Sequence, residues 1–570
     1  MKPAEMHTSK LRSALLWLDD HILLLLTGFL MAFIPLYPKL PVLELITGYI
    51  VRVRIEDFFI AFTVGVWVVQ VIRKKVAWKT PLTLMIALYL IAGLLSSFSA
   101  MFWTQTVPLS AVHVQKLFLH YFRRIEYFSL FFIAYASLKD RKQLKVLLGV
   151  LCITAFLVSL YGLGQKYLYW PVYSTMNREF SKGLRLYLTE HARVQSTFGG
   201  HYDYAAWLVV ALPMLLAFAF TVRKIWVKLG LYSAFLLSLW GLMMTSSRSS
   251  FLAYIAAATL LVVIFAFRKG WLWGLVRIVV LYGLTAVYMI FFGDLLERFG
   301  QIFKDNSAYL ALQQSVQVAK DTVQAPIIAR PKDGISIEDV EKAAAEAAKK
   351  AAIPAPVVGN SDTQPTPLTP QLQEQDNLPP DVFENIPDKI VQTKTKEGKD
   401  IEIIVPRVFS ENAYKLGLSA AIRLDTLWPL AIRGFLRNPL LGSGYSTLTK
   451  YEIGQFTEAE STDNDFLRTL GETGLVGFVT FYGVMVIAVY SLVKKAKQSQ
   501  DRLMGVFAAL YVVVTLGLMI NAVYIDVFVS SKVAQTYWIL TGLLLAYSEM
   551  VPIAATQMYK TSKNVRKGRR

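Results

Sequence analysis

Apolar runs of about twenty residues, separated mostly by short polar links, dominate this chain. A run of that length crosses a bilayer hydrocarbon core about 30 Å thick as a helix, and helices are the spanning form this pattern supports. The pattern predicts twelve such helices, at 21–38, 55–72, 81–99, 117–137, 143–164, 204–221, 227–245, 250–267, 271–292, 474–493, 503–521 and 527–549. The expected fold is therefore an all-α polytopic membrane protein. Its expected organisation is nine spans within 1–292, a long polar region over 293–473, three spans within 474–549 and a basic tail over 550–570.

Charge orients the spans. Basic residues gather in "RKKVAWK" (73–79), "KDRKQLK" (139–145), "RKIWVK" (223–228), "RKG" (268–270), "KKAKQSQDR" (494–502) and the tail. All six fall on one side if the twelve spans alternate, and the positive-inside rule makes that side the cytoplasm, with both termini there. The other links, 39–54, 100–116, 165–203, 245–250, 293–473 and 522–526, then face outward. The first residues carry positive charge but no small-residue cleavage site, so the first span reads as retained rather than as a cleaved signal peptide.

Composition agrees with this class. Of 570 residues, 55% are hydrophobic and 13% aromatic, and the mean hydropathy of +0.44 is too apolar for a soluble multidomain protein of this length. Lys and Arg outnumber Asp and Glu by 59 to 40, a net charge of +19. In a membrane protein this surplus points first to anionic lipid beside cytoplasmic loops, not to nucleic acid. The single cysteine, Cys152, sits in an apolar run, which excludes an intrachain disulfide and a cysteine-rich metal site.

The polar region is composite. Within the insert 305–411, "IEDVEKAAAEAAKKAA" has helix propensity without an apolar stripe, a proline-rich tract reads as a linker, and "KIVQTKTKEGKDIEIIVP" alternates around a Glu-Gly turn as a small hairpin would. None of this carries a catalytic pattern, and the insert reads as a surface elaboration. Over 412–473, apolar residues at helical spacing interrupted by Pro429 predict two short amphipathic helices on the membrane surface, followed by the tight turn "LLGSGYS".

Candidate chemistry concentrates on the outward side. Arg248, set in "TSSRSS", has a guanidinium shaped for two phosphate oxygens, against the alternative of an arginine snorkelling to headgroups. Arg423, flanked by apolar residues, faces the turn that leads to an acidic cluster and is a candidate anion ligand, whereas Arg433 and Arg437, four apart, read as a basic stripe on lipid. Glu460, Asp463, Asn464 and Asp465 form that cluster. A carboxylate there could take a proton from an acceptor hydroxyl, or the same residues could cap a helix beginning near Asn464, Thr462 and Asp465 having capping-box spacing. Glu472, with Gly474 and Gly477, reads as a residue that caps and packs the start of the tenth span. Arg193, His191, His201 and Asp203 precede the sixth span at a spacing that matches no standard zinc pattern, and so read as a cap or a sugar contact. Lys116, Arg123 and Arg124, beside Glu126, could hold a pyrophosphate or snorkel. No P-loop, dinucleotide fingerprint or nucleophile elbow is present.

Several of these stretches, taken in order, resemble the O-antigen ligase and polymerase family of bacterial envelope membrane proteins. They are "YFSLFFIAYASL", "RVQSTFGGHYDYAAWLVVALP", "TSSRSSFLAYIAAATL", Arg423 and Trp428 in an R-x4-W pattern, "NPLLGSGYS" and "DNDFLRTLGETGLVGF", covering about residues 120–490 without the insert. The resemblance implies an inverting, metal-independent membrane glycosyltransferase that needs no cofactor. Such an enzyme moves a glycan from undecaprenyl diphosphate to a lipid, glycan or protein acceptor at the outer face of the bacterial cytoplasmic membrane. It implies Arg248 and Arg423 as diphosphate ligands. Many ligases of the family carry a His-Asn pair where this chain has Asp463-Asn464, so the base falls to Asp463 or Glu460, or activation rests mainly on arginine. Arg193, His201, Asn464, Arg124 and Lys116 are the expected substrate-binding residues, and membrane lipids the expected surroundings. A polysaccharide polymerase is the alternative within this chemistry. A glycolipid flippase would show charges at mid-span and internal repeats, neither of which the sequence displays, and a scaffold would act through its insert.

Overall fold

The computed structural model describes residues 3–46, 49, 51–176, 180–189, 192–296, 389–394, 400–405, 412, 418–448 and 461–553. Twelve long helices carry it: α1 (Pro3–Leu36), α2 (Ile55–Ile72), α3 (Thr83–Phe98), α4 (Ala111–Ser137), α5 (Arg141–Tyr167), α6 (His201–Thr221), α7 (Ile225–Met244), α8 (Arg248–Lys269), α9 (Trp271–Phe291), α12 (Asp465–Gln498), α13 (Arg502–Asn521) and α14 (Ser531–Met550). Two short helices, α10 (Leu418–Ile422) and α11 (Trp428–Arg437), lie between α9 and α12.

Among the described residues, ten helices are long and apolar enough to cross a membrane. The fourth and twelfth predicted spans are helices that fall outside these ten. The first half of α4 carries His113, Lys116, His120, Arg123, Arg124 and Glu126, and α14 carries Lys532, Gln535 and Glu549. These two polar helices pack against each other at the centre. Phe128 of α4 meets Trp538 of α14 with ring centroids 4.5 Å apart, and nearly every residue of α14 is buried. Helix α6 is similarly enclosed, by α7, α8 and α13. The interior positions among the helices thus tolerate polar residues that a lipid-facing helix would not.

Successive links alternate between two ends of the bundle. At one end, Asp19 holds Arg73 at 2.6 Å and Lys75 at 2.5 Å, Asp20 lies 3.6 Å from Lys139, and Arg141 reaches Asp501 at 3.6 Å and the Met550 carbonyl at 2.6 Å. Lys269 donates to the Phe220 carbonyl there at 2.5 Å. The described basic links therefore share this basic end. At the opposite, polar end, the Lys532 ammonium sits among the carbonyls of Pro35, Tyr37 and Thr197 at 3.2, 2.6 and 2.8 Å.

Sheet structure is minor. Strand β1 (Pro41–Leu43) pairs antiparallel with β2 (Val53–Arg54). Strands β3 (Lys389–Lys394) and β4 (Asp400–Val405) form the antiparallel hairpin expected in the insert, with Lys389 opposite Val405 and Lys394 opposite Asp400. The Ala/Glu/Lys run and the proline-rich tract lie outside the described residues.

The α4–α14 contact is close enough to forbid a side chain at Gly542, where a Cβ would collide with the Phe131 carbonyl oxygen. Small residues let helices approach in this way. Gly542→Leu should lower the thermal midpoint of the protein in detergent, overpacking at such a site costing about 1–3 kcal/mol or more. Gly65→Leu, at a position on α2 with nothing within 4 Å of an added Cβ, should leave it unchanged.

Candidate functional site

At the polar end, the segment 461–465 leads into α12 and lies against the α13–α14 link, 522–530. A single carboxylate joins them. Asp526 accepts from the backbone N–H of Thr462 at 3.0 Å and of Asn464 at 2.9 Å, from the Ser461 hydroxyl at 2.9 Å, and from the Arg468 guanidinium at 2.7 Å. The link is tied in return: the Asp465 carboxylate accepts from the Phe528 N–H at 2.9 Å, and the Asp465 N–H donates to the Ala522 carbonyl at 2.9 Å. Each segment thus satisfies orphan backbone donors of the other, as buried polar groups require.

Asn464 is the N-cap of α12, its side-chain oxygen accepting from the Leu467 N–H at 2.9 Å. The cap therefore falls on Asn464 alone; the Thr462–Asp465 capping box does not form, because Asp465 turns its carboxylate to Phe528. Between them Asp463 adopts a positive φ of 51°. That conformation is uncommon outside glycine, and asparagine and aspartate are the residues that tolerate it best. It turns the Asp463 carboxylate toward Arg423, at 2.9 Å.

Arg423 stands at the start of a short π-helical turn, Arg423–Leu427, between α10 and α11. Pro429 follows the π-turn, whose wider bond from the Trp428 N–H to the Arg423 carbonyl accommodates the N–H that proline lacks, so α10 and α11 form one bulged helical run rather than two separate helices. The Arg423 guanidinium is buried. It donates to the Ser419 carbonyl and hydroxyl at 2.7 and 2.6 Å and approaches the Tyr524 carbonyl at 3.4 Å. Its Nε has no hydrogen-bond partner among the described residues, and neither has the buried Thr462 hydroxyl nearby in sequence to Asp463.

A second tier lies beneath. Arg468 also reaches Glu472 at 3.2 Å, and Glu472 accepts from the Ser446 N–H at 3.1 Å and lies 3.9 Å from Arg124. Arg124 itself donates to the Phe528 carbonyl at 3.2 Å. Glu472 is thus a buried member of an ion network and not a cap. The cap-like break comes two residues later: Gly474, with φ 65°, interrupts α12 and frees carbonyls above it. The Gly471 and Glu472 carbonyls accept from the N–H groups of Ser443 and Gly444 at 2.8 and 2.9 Å, which seats "NPLLGSGYS" against "GETGLVG". The buried Tyr445 from this turn lies with Arg124 and Tyr89 around a small cavity, and burial pushes its phenol well above the usual range.

The other predicted residues flank this centre. Arg248 opens α8, where Ser250 exchanges hydrogen bonds with Asn521 at the end of α13. Ser250, two residues beyond Arg248, thus meets Asn521, while Arg423 approaches the Tyr524 carbonyl. Arg193 lies 2.9 Å from His201, and Asp203 accepts from Ser530 at 2.8 Å and pairs with Lys39 at 3.2 Å. Burial pulls the Lys39 ammonium below its usual range, with Asp203 opposing the shift. The trio on α4 is divided: Lys116 sits over the Tyr49 ring, Arg123 pairs with Asp57 and Glu126 at 2.6 and 2.8 Å, and only Arg124 joins the network. Glu460 and His191 lie outside the described residues, and among those described no three metal-ligating side chains converge. Asp526 and Arg468 escaped the sequence reading. The signal available was a lone aspartate in the otherwise apolar link "NAVYIDVF".

Comparison with known proteins leaves the geometry to speak alone: no family model matches the chain, and no curated protein matches it.

Removing the Asp526 carboxylate should release 461–464. Asp526→Ala leaves Arg468 short of a partner in a buried site and orphans two amides, which should cost about 3–5 kcal/mol, read as a lowered melting midpoint and faster hydrogen exchange at Thr462 and Asn464. Asp526→Asn, which keeps an acceptor oxygen, should cost about 1–3 kcal/mol.

Proposed function

We propose that this protein is a membrane glycosyltransferase of the O-antigen ligase type, working on a polyprenyl-diphosphate donor at the polar end of the bundle. The observation that carries the reading is the Arg423–Asp463 pair at 2.9 Å, in which a buried guanidinium with an unpartnered Nε meets a carboxylate held on a turn. A guanidinium is shaped for phosphate oxygens, and a carboxylate of this kind can take a proton from a hydroxyl. The clustering of basic links at the opposite end supports, by the positive-inside rule, an outer-face position for this end. The donor then enters from the bilayer, and no nucleotide is needed.

In this mechanism the diphosphate binds Arg423, with Arg248 as the second cation. An acceptor hydroxyl attacks the anomeric carbon with inversion. Its oxygen forms the new glycosidic bond, its proton passes to the Asp463 carboxylate, and the bond from anomeric carbon to diphosphate oxygen breaks with its electrons on the leaving polyprenyl diphosphate. The arginines offset the charge that grows there, commonly the largest catalytic contribution. Arg124, Arg193, His201, Lys116 and Asn464 serve in this reading as supports around the site, the first and last by fixing Phe528 and the start of α12. A polymerase would use the same groups with a glycan repeat as acceptor.

Donor and base compete for one guanidinium, and this separates the reading from a merely structural ion pair. With purified protein and labelled undecaprenyl diphosphate glycan, Arg423→Ala should lower transfer at least about 100-fold. Asp463→Asn should lower turnover about 100- to 10,000-fold while binding the donor more tightly than the unaltered protein, because Arg423 is freed. Undiminished transfer in both Arg423→Ala and Arg248→Ala would overturn the assignment.

A further inference from the structure

One hollow in the described bundle is remote from the polar end. It opens between α5, α6, α7 and α13 near the basic end, holds about 730 Å3, and is lined mainly by apolar atoms. Lys145, Gly149, Cys152 and Phe156 of α5 form one wall, Gly230 of α7 faces them, and Phe507 of α13 closes the back.

Two glycines keep it open. A Cβ on Gly149 or on Gly230 would find nothing within 4 Å, so neither glycine serves a close helix contact. Any side chain there would project into free space. Ile153 and Val227 on its rim are exposed by 62% and 48%, which leaves the groove open sideways to hydrocarbon. Water finds few hydrogen-bond partners on such a wall, whereas an acyl chain fills it at no polar cost.

The mouth is cationic. Lys145 has no ion pair or hydrogen bond with any described residue. The link from Val222 to Lys224 carries the exposed Arg223 and Lys224 just before the lining Val227 of α7, and Arg502 precedes the lining Leu503. The nearby carboxylates are engaged: Asp501 with Arg141 and Tyr547, and Asp140 as the cap of α5. From Lys145 to Phe156 the helix rises about 16 Å at about 1.5 Å per residue. That matches one leaflet of a hydrocarbon core about 30 Å thick.

We propose that this groove is a binding site for one anionic phospholipid of the leaflet at the basic end, with an acyl chain between Gly149 and Gly230 and the phosphate at Lys145. The site is independent of the glycan-transfer reading, since it lies at the opposite end from Arg423.

The chain's sole cysteine reports on it, because Cys152 lines the groove. The full-length protein is reconstituted in vesicles of phosphatidylcholine alone or of phosphatidylcholine with phosphatidylglycerol, and Cys152 is labelled with membrane-permeant N-ethylmaleimide. Labelling should be at least severalfold slower with phosphatidylglycerol, and Lys145→Glu, a change at an exposed position, should abolish the difference. Mass spectrometry of the intact detergent-purified protein should show one retained anionic phospholipid, lost in Gly149→Leu/Gly230→Leu. Equal labelling in the two vesicles, protection that survives Lys145→Glu, or retention of a neutral lipid only would each overturn the proposal.

Discussion

Two aspartates, sixty-one residues apart in sequence, hold the polar end together by trading places. Asp526, on the α13–α14 link, satisfies the backbone of 462–464, while Asp465, at the start of α12, satisfies the backbone of the link. Neither segment is regular enough to pair its own amides. A buried N–H without an acceptor is expensive, so each depends on the other for its shape. Arg468 keeps the arrangement affordable by placing a positive charge at 2.7 Å from Asp526 and within reach of Glu472. The position of Asp463, and through it the pairing with Arg423, follows from this exchange together with the tolerance of aspartate for a positive φ.

The helical bundle is the setting that makes so polar a cluster possible. The lipid-facing helices are nearly uniform in their apolar character, whereas α4 and α14, sheltered at the centre, carry the charges that reach the polar end. Arg123 and Glu126, three apart, pair on one face of α4, and Gln535 answers from α14, donating to Glu126 at 2.6 Å. Polar residues inside a membrane protein are tolerated where other protein surrounds them. The same enclosure explains why these two helices fall below the hydropathy of the other ten.

Most of the helices were legible in the sequence because a span must be apolar over a fixed length, whatever surrounds it. The hairpin at Lys389–Val405 was legible for a similar local reason, alternation around a Glu-Gly turn. Arg423 and Asp463 were visible as candidates, and they meet. What could not be read was which partner each charge takes. Nothing local distinguishes Arg123, bound to Asp57 and Glu126, from its neighbour Arg124, bound to the Phe528 carbonyl; the helix rotation relative to α2 and α14 decides it. Glu472 looked like a cap because Gly474 follows, but the glycine breaks the helix while the carboxylate turns inward. Asp526 was hidden by brevity, since a link of a few residues between two spans offers no pattern to read.

The break at Gly474 and the late position of Asp526 together bear on how the chain is made. Residues 461–465 are synthesised before α12 is complete, yet their final shape waits on an aspartate that emerges only after α13. During synthesis the polar end therefore stays unformed through the first eleven long helices, and it is complete only when the last hairpin, α13 and α14, closes over α4.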